Sequence, residues 1–136
     1  MGISSKNFSD KELSCSHCGE NKIDQKTLDA LQELREALGK PLKLSSAYRC
    51  SVHNQKVSSS GTNGPHTTGQ AIDILCSGET AHEVLSFAMI RSSIWKGIGV
   101  SQKGKHDSRF LHLDTIDTDL RPVSYTHLTL PTNREV

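Results

Sequence analysis

Aromatic residues are scarce in this chain: one Trp, two Tyr and three Phe among 136 residues, about 4%. That leaves few large plates to build a core, which must come mostly from aliphatic side chains, and it argues against a stacking platform for bases. Charge of one sign is lacking too. Sixteen Lys and Arg face fifteen Asp and Glu, a formal net charge of +1, so neither nucleic acid nor an anionic membrane has an electrostatic hold on it. No apolar run approaches the roughly 18 residues of a spanning helix. The opening "MGISSKNFSDKEL" has no charged head followed by an apolar stretch, so it does not read as a secretory signal. The expectation is synthesis in the cytoplasm without an export address of its own.

What is present in excess is ligand chemistry: seven histidines and four cysteines, Cys15, Cys18, Cys50 and Cys76. In a cytosolic product such cysteines are metal ligands or plain thiols before they are disulfides. The length fits one domain. Residues 23–38 predict a helix, with Leu28, Leu31, Leu34 and Leu38 at three- and four-residue steps and Gly39 and Pro41 behind them. "PLKLSSAYR" reads as a strand running into a loop, and the polar stretch 51–65 reads as surface loop. "GQAIDIL" is the next strand. Thr80 and Glu83 suggest a capping box opening a second helix through about Arg91. "GIGVS" and "RFLHLDT" are short strands on either side of a turn near Gly104. Two main helices with a small antiparallel sheet make an α+β domain, expected to be monomeric.

Asp73 stands between Ile72 and Ile74 in an otherwise apolar strand, where an unpaired carboxylate is costly. Side chains alternate along a strand, so His112 and Asp114 share one face of "RFLHLDT" while Leu111 and Leu113 take the other. His66 lies in the loop before the Asp73 strand. If the two strands are neighbours, His66, Asp73 and His112 converge on one ion. Three protein ligands with an open position is the pattern of catalytic zinc. Cys15-Ser-His-Cys18 beside Gly19, with Cys50-Ser-Val-His53, offers a second, closed set: Cys15, Cys18, Cys50 and His53, with Cys76 as an alternative fourth ligand. His17, His82 and His127 are expected to be solvated.

"SAYRCSVHN", "GPHTTGQAIDI" and "FLHLDT", in that order, resemble the D-Ala-D-Ala carboxypeptidase family of zinc peptidases, in the clan with lysostaphin-type and hedgehog-type domains. The resemblance runs from about Phe8 to Val123. It implies a hedgehog-like fold, zinc on His66, Asp73 and His112, and the stem peptide of peptidoglycan as substrate. The bond cut, D-Ala-D-Ala or L-Ala-D-Glu, stays open. Arg49 would bind a substrate carboxylate or steady the developing oxyanion, with Ser46 and Tyr48 lining the same pocket. Some branches carry a glutamate three residues before the last ligand, where this chain has Arg109. Asp114 is therefore taken as the general base, with an orienting carboxylate as the rival role and His106 and Asp107 as other bases. Small members of this kind are often encoded by bacteriophages, which points to an endolysin-type role after release. A silent cell-wall-binding domain of the same fold is the alternative, and a zinc-knuckle interaction module a third class. Residues 1–123 form the peptidase domain in this reading. Residues 124–136, "SYTHLTLPTNREV", resemble adapter read-through and replace the usual aromatic-rich ending.

Overall fold

The computed structural model describes residues 2–57 and 64–116. Helix α1 (Asp10–Leu13) is followed by α2 (Gln25–Leu38), strand β1 (Lys43–Ser46), α3 (Ser51–Val57), β2 (Ala71–Leu75), α4 (Gly78–Ile90), β3 (Gly97–Ser101) and β4 (Phe110–Asp114). Short 3-10 turns at Pro65–Thr68 and His106–Ser108 precede β2 and β4. The four strands lie in the order β1-β2-β4-β3 and every neighbouring pair is antiparallel. This is the expected α+β fold. Among the described residues no helix is long and apolar enough to cross a membrane. The segment 124–136, with His127, lies outside the described residues.

The leucine spacing of α2 does what it predicts. Leu28, Leu31 and Leu34 are fully buried and share one core cluster with Ile72, Ile74, Leu111, Leu113 and Val84. Each such side chain is worth about 1.5–3 kcal/mol of transfer free energy. The helix begins two residues later than expected because Asp24 is its N-cap, accepting the Thr27 N–H, while Gly39 closes it in a left-handed conformation at φ 64°. Ile23 is buried just ahead of the cap, the place of a hydrophobic staple to Leu28.

Two expectations need correction, and one helix had not been expected. The stretch 51–65 is not all loop: residues 51–57 form α3, whose buried member Asn54 has no exposure at all. A seven-residue helix with a single polar anchor has no apolar periodicity to read. Thr80 is not a cap, since α4 starts at Gly78 behind Ser77, and Glu83 pairs with Lys40 instead. Helix α1 went unread although its capping box was visible, with Ser9 and Glu12 bonding each other's backbone N–H groups.

With Ile72, Ile74, Leu111 and Leu113 committed to the core, period-two alternation turns Asp73, His112 and Asp114 to the opposite face. The register decides which of them meet. Asp73 stands opposite His112 in β2–β4, and Ser46 stands opposite Asp73 across β1–β2, beyond an irregularity between Leu44 and Ser46. On the far side, Gly99 faces His112 and Gly97 faces Asp114.

Candidate active site

His66 reaches the sheet from the 3-10 turn Pro65–Thr68, which Gly64 and Pro65 start and Gly69 ends at φ 76°. Gly69 is required there, because a Cβ would strike the Lys22 carbonyl oxygen. Nδ1 of His66 donates to the Ala47 carbonyl at 2.7 Å, and the residue is only 5% exposed. A carbonyl can only accept, so the proton of the neutral ring is on Nδ1 and Nε2 presents its lone pair. That Nε2 lies 3.2 Å from Asp73 Oδ1. Nδ1 of His112 lies 2.9 Å from the same oxygen, and the two imidazoles meet edge to face with centroids 5.1 Å apart. One ligand atom from each of His66, Asp73 and His112 falls within 4.8 Å of the others. The donor set, two imidazole nitrogens and one carboxylate oxygen converging from three elements, suits zinc.

Burial would raise the Asp73 pKa, but when the facing rings are protonated, hydrogen bonds from His112 and His66 and their charge outweigh it and hold the carboxyl well below the usual range. The same pairing acts in reverse on His112. Burial works to lower its pKa, and Asp114 and Asp73 together raise it to about 9.

Asp114 is where the structure departs from the expected role. It is fully buried, and its Oδ2 lies 2.8 Å from Nε2 of His112. That nitrogen is on the other side of the ring from the one beside Asp73. A base must come within about 3 Å of the proton it takes, directly or through one water. A carboxylate behind the ligand ring instead fixes the ring's tautomer and orientation. Its neighbours in the ladder make room for it: Ala71 on one side and Gly97 on the other, where a Cβ would sit 2.5 Å from Oδ2 and 2.6 Å from Oδ1. His106 and Asp107 lie on the exposed turn before β4, with local backbone hydrogen bonds, and the structure does not bring them to the ligands.

Arg49 follows β1 and enters α3. Nη1 donates to Asn54 Oδ1 at 2.8 Å, Nη2 donates to Ser46 Oγ at 2.9 Å, and Nη2 stands 3.8 Å from Asp73 Oδ2. Its backbone N–H donates to the His66 carbonyl at 3.1 Å, tying the two segments together. The largely buried guanidinium has its pKa lowered by burial, which the Asp73 charge only partly offsets. Ser46, Tyr48 and Arg49 line a cleft of about 780 Å³ that also takes in Glu12 and Cys15. None of His66, Asp73 and His112 lines it; Arg49, which does, is the link to them through its 3.8 Å approach to Asp73. A family model described as Peptidase M15 matches residues 6–114. The chain belongs to the peptidase M15 family. No curated protein matches it. Membership in M15, the D-Ala-D-Ala carboxypeptidase-like zinc peptidases, supports zinc and peptidoglycan in general terms and leaves the bond open.

Asn54 and Gly97 are the positions that sequence reasoning missed. Asn54 ends the quoted "SAYRCSVHN", so its motif was in view without its task. Gly97 had no signal, since its role exists only across the β3–β4 ladder. The cysteines divide. Cys15, Cys18 and Cys50 come together within 4.8 Å, all as free thiols. Cys76 does not join them. It lies past β2 with its N–H on the Arg109 carbonyl, and burial pushes its thiol up to about 11. For Cys15, burial acts upward, but backbone N–H groups of Cys50, Cys18 and His17 outweigh it and bring the thiol down to about 7. The ring of His53 is turned toward Ser16, Nε2 to Oγ 3.3 Å, and stacks on His17. His82 is exposed as expected. His17 is exposed too, yet its Nδ1 is 3.6 Å from Cys50 Sγ.

Proposed function

We propose that this M15 peptidase hydrolyses an amide bond in the stem peptide of peptidoglycan, at a zinc held by His66, Asp73 and His112. The observation that carries the reading is the convergence of those three ligand atoms within 4.8 Å, with each imidazole held from behind by a separate acceptor. Zinc bound there supplies a water acidic enough to act near neutral pH and a Lewis acid for the scissile carbonyl. The chain's own groups do the rest. Ala47 and Asp114 fix which nitrogen each histidine presents. Arg49, held as a fork between Ser46 and Asn54, offers a fixed cation in the wall of the cleft. Its place suits either a free carboxylate of the substrate or the oxygen that becomes negative during attack. Both candidate bonds lie next to carboxylates, in D-Ala or in D-Glu, so this cation fits either. The role is phage-type lysis of the wall after release of the protein.

A second reading, a wall-binding domain without turnover, draws on one observation: the carboxylate expected to take the proton, Asp114, faces the far nitrogen of His112. Digestion of purified peptidoglycan separates the two. New free amino groups, and muropeptide masses that identify the bond, are expected from the wild type. His66→Ala should bring their release to background while far-UV dichroism stays unchanged. Co-sedimentation with the wall without any release of amines would establish the binding-only reading, and full turnover by His66→Ala would remove the site.

A further inference from the structure

The geometry points to a second metal site, a closed structural zinc on Cys15, Cys18 and Cys50 with His17 as the fourth ligand. It is independent of the hydrolytic reading. The three sulfurs come from segments 35 residues apart and still lie within 4.8 Å of one another. Around a tetrahedral zinc with bonds of about 2.3 Å to sulfur and 2.0 Å to nitrogen, neighbouring ligand atoms stand about 3.5–3.8 Å apart. The His17 Nδ1 to Cys50 Sγ distance, 3.6 Å, already matches such an edge.

The backbone is arranged around sulfur as well. The N–H groups of His17 and Cys50 both point at Cys15 Sγ at 3.4 Å, and the N–H of His53 points at Cys50 Sγ at 3.4 Å. Such donors stabilise thiolate more than thiol. The turn that presents Cys15 and Cys18 is closed by Gly19, at φ 77°, whose N–H donates to the Cys15 carbonyl at 2.8 Å. Two sulfurs on a turn of this kind, with a third brought against them from residue 50 and no disulfide among them, fit a metal better than an incidental cluster. His53 was the expected fourth ligand, but its ring nitrogen is engaged with Ser16, and it serves through its backbone N–H. Binding releases the thiol protons and involves no change of oxidation state. The consequence is mechanical: the N-terminal arm becomes pinned to Cys50, the residue next to Arg49.

Metal content of the full chain, purified under reducing conditions, tests this. Two zinc ions per chain are expected, falling to one in Cys18→Ser and to one in His66→Ala. Cobalt(II) bound to His66→Ala should show the intense thiolate-to-metal absorption of a sulfur-rich tetrahedral site, altered by His17→Ala and kept by His53→Ala. On the unmodified chain, organomercurial titration should release this zinc in step with three thiols, a readout that needs no variant to fold. One zinc per chain, lost on His66→Ala and indifferent to the mercurial, overturns the proposal. A single zinc lost on mercurial treatment upholds it and counts against the active-site reading instead. A cobalt spectrum altered by His53→Ala and untouched by His17→Ala overturns the fourth ligand.

Discussion

Replacing Gly97 by alanine drives a methyl carbon into the Asp114 carboxylate. The added Cβ would stand 2.5 Å from Oδ2, 2.6 Å from Oδ1 and 2.7 Å from Cγ, whereas real Cβ contacts essentially never fall below 3.0 Å. Something must move by at least about 0.5 Å. The backbone has little freedom to do so, because Gly97 and Asp114 are paired in the ladder and the Lys96 N–H holds the Asp114 carbonyl at 2.8 Å. The carboxylate therefore moves, and the 2.8 Å contact to Nε2 of His112 stretches or breaks. Loss of an outer carboxylate on a ligand histidine costs about 10–100-fold in metal affinity or activity, which is about 1.4–2.8 kcal/mol. Overpacking adds a stability loss of about 1–3 kcal/mol. Competition with a chromophoric chelator reads the zinc affinity of the site that His66→Ala abolishes, and a urea titration reads the stability. Asp114→Asn, which keeps the shape and drops the charge, should weaken zinc by about tenfold, and the double variant should lose little more than Gly97→Ala alone. A folded Gly97→Ala protein with unaltered zinc affinity and turnover would refute the orienting role of Asp114.

Arg49→Lys keeps the charge but cannot fork between Ser46 and Asn54, so kcat/KM on stem peptides should fall about 10–100-fold; an unchanged value would make Arg49 a structural cation only. Leu31→Ala, in the fully buried stripe of α2, should cost about 2–5 kcal/mol in denaturant unfolding. A loss under about 1 kcal/mol there would mean that the α2 face is not the core described above.

Some of this protein is local and could be read along the chain. The leucine steps of α2 and the alternation around Asp73 and His112 follow from the two backbone periodicities, 3.6 and 2.0, which any single strand or helix carries in its own sequence. The quoted motifs carried the three proposed ligands and Arg49 by resemblance, because motif spacing is also a property of the chain. Tertiary structure decided the rest. The face of β4 was legible, but whether Asp114 meets the near or the far nitrogen of His112 depends on how the ring turns between β2 and β3. The room for that carboxylate comes from Gly97, on a strand with no link to it in sequence. Helix α3 buries Asn54 against Arg49, a contact with no periodic signature. Spacing pointed to His53 and left His17 solvated, yet His17 Nδ1 faces Cys50 Sγ, because folding brings residues 15–18 against residue 50.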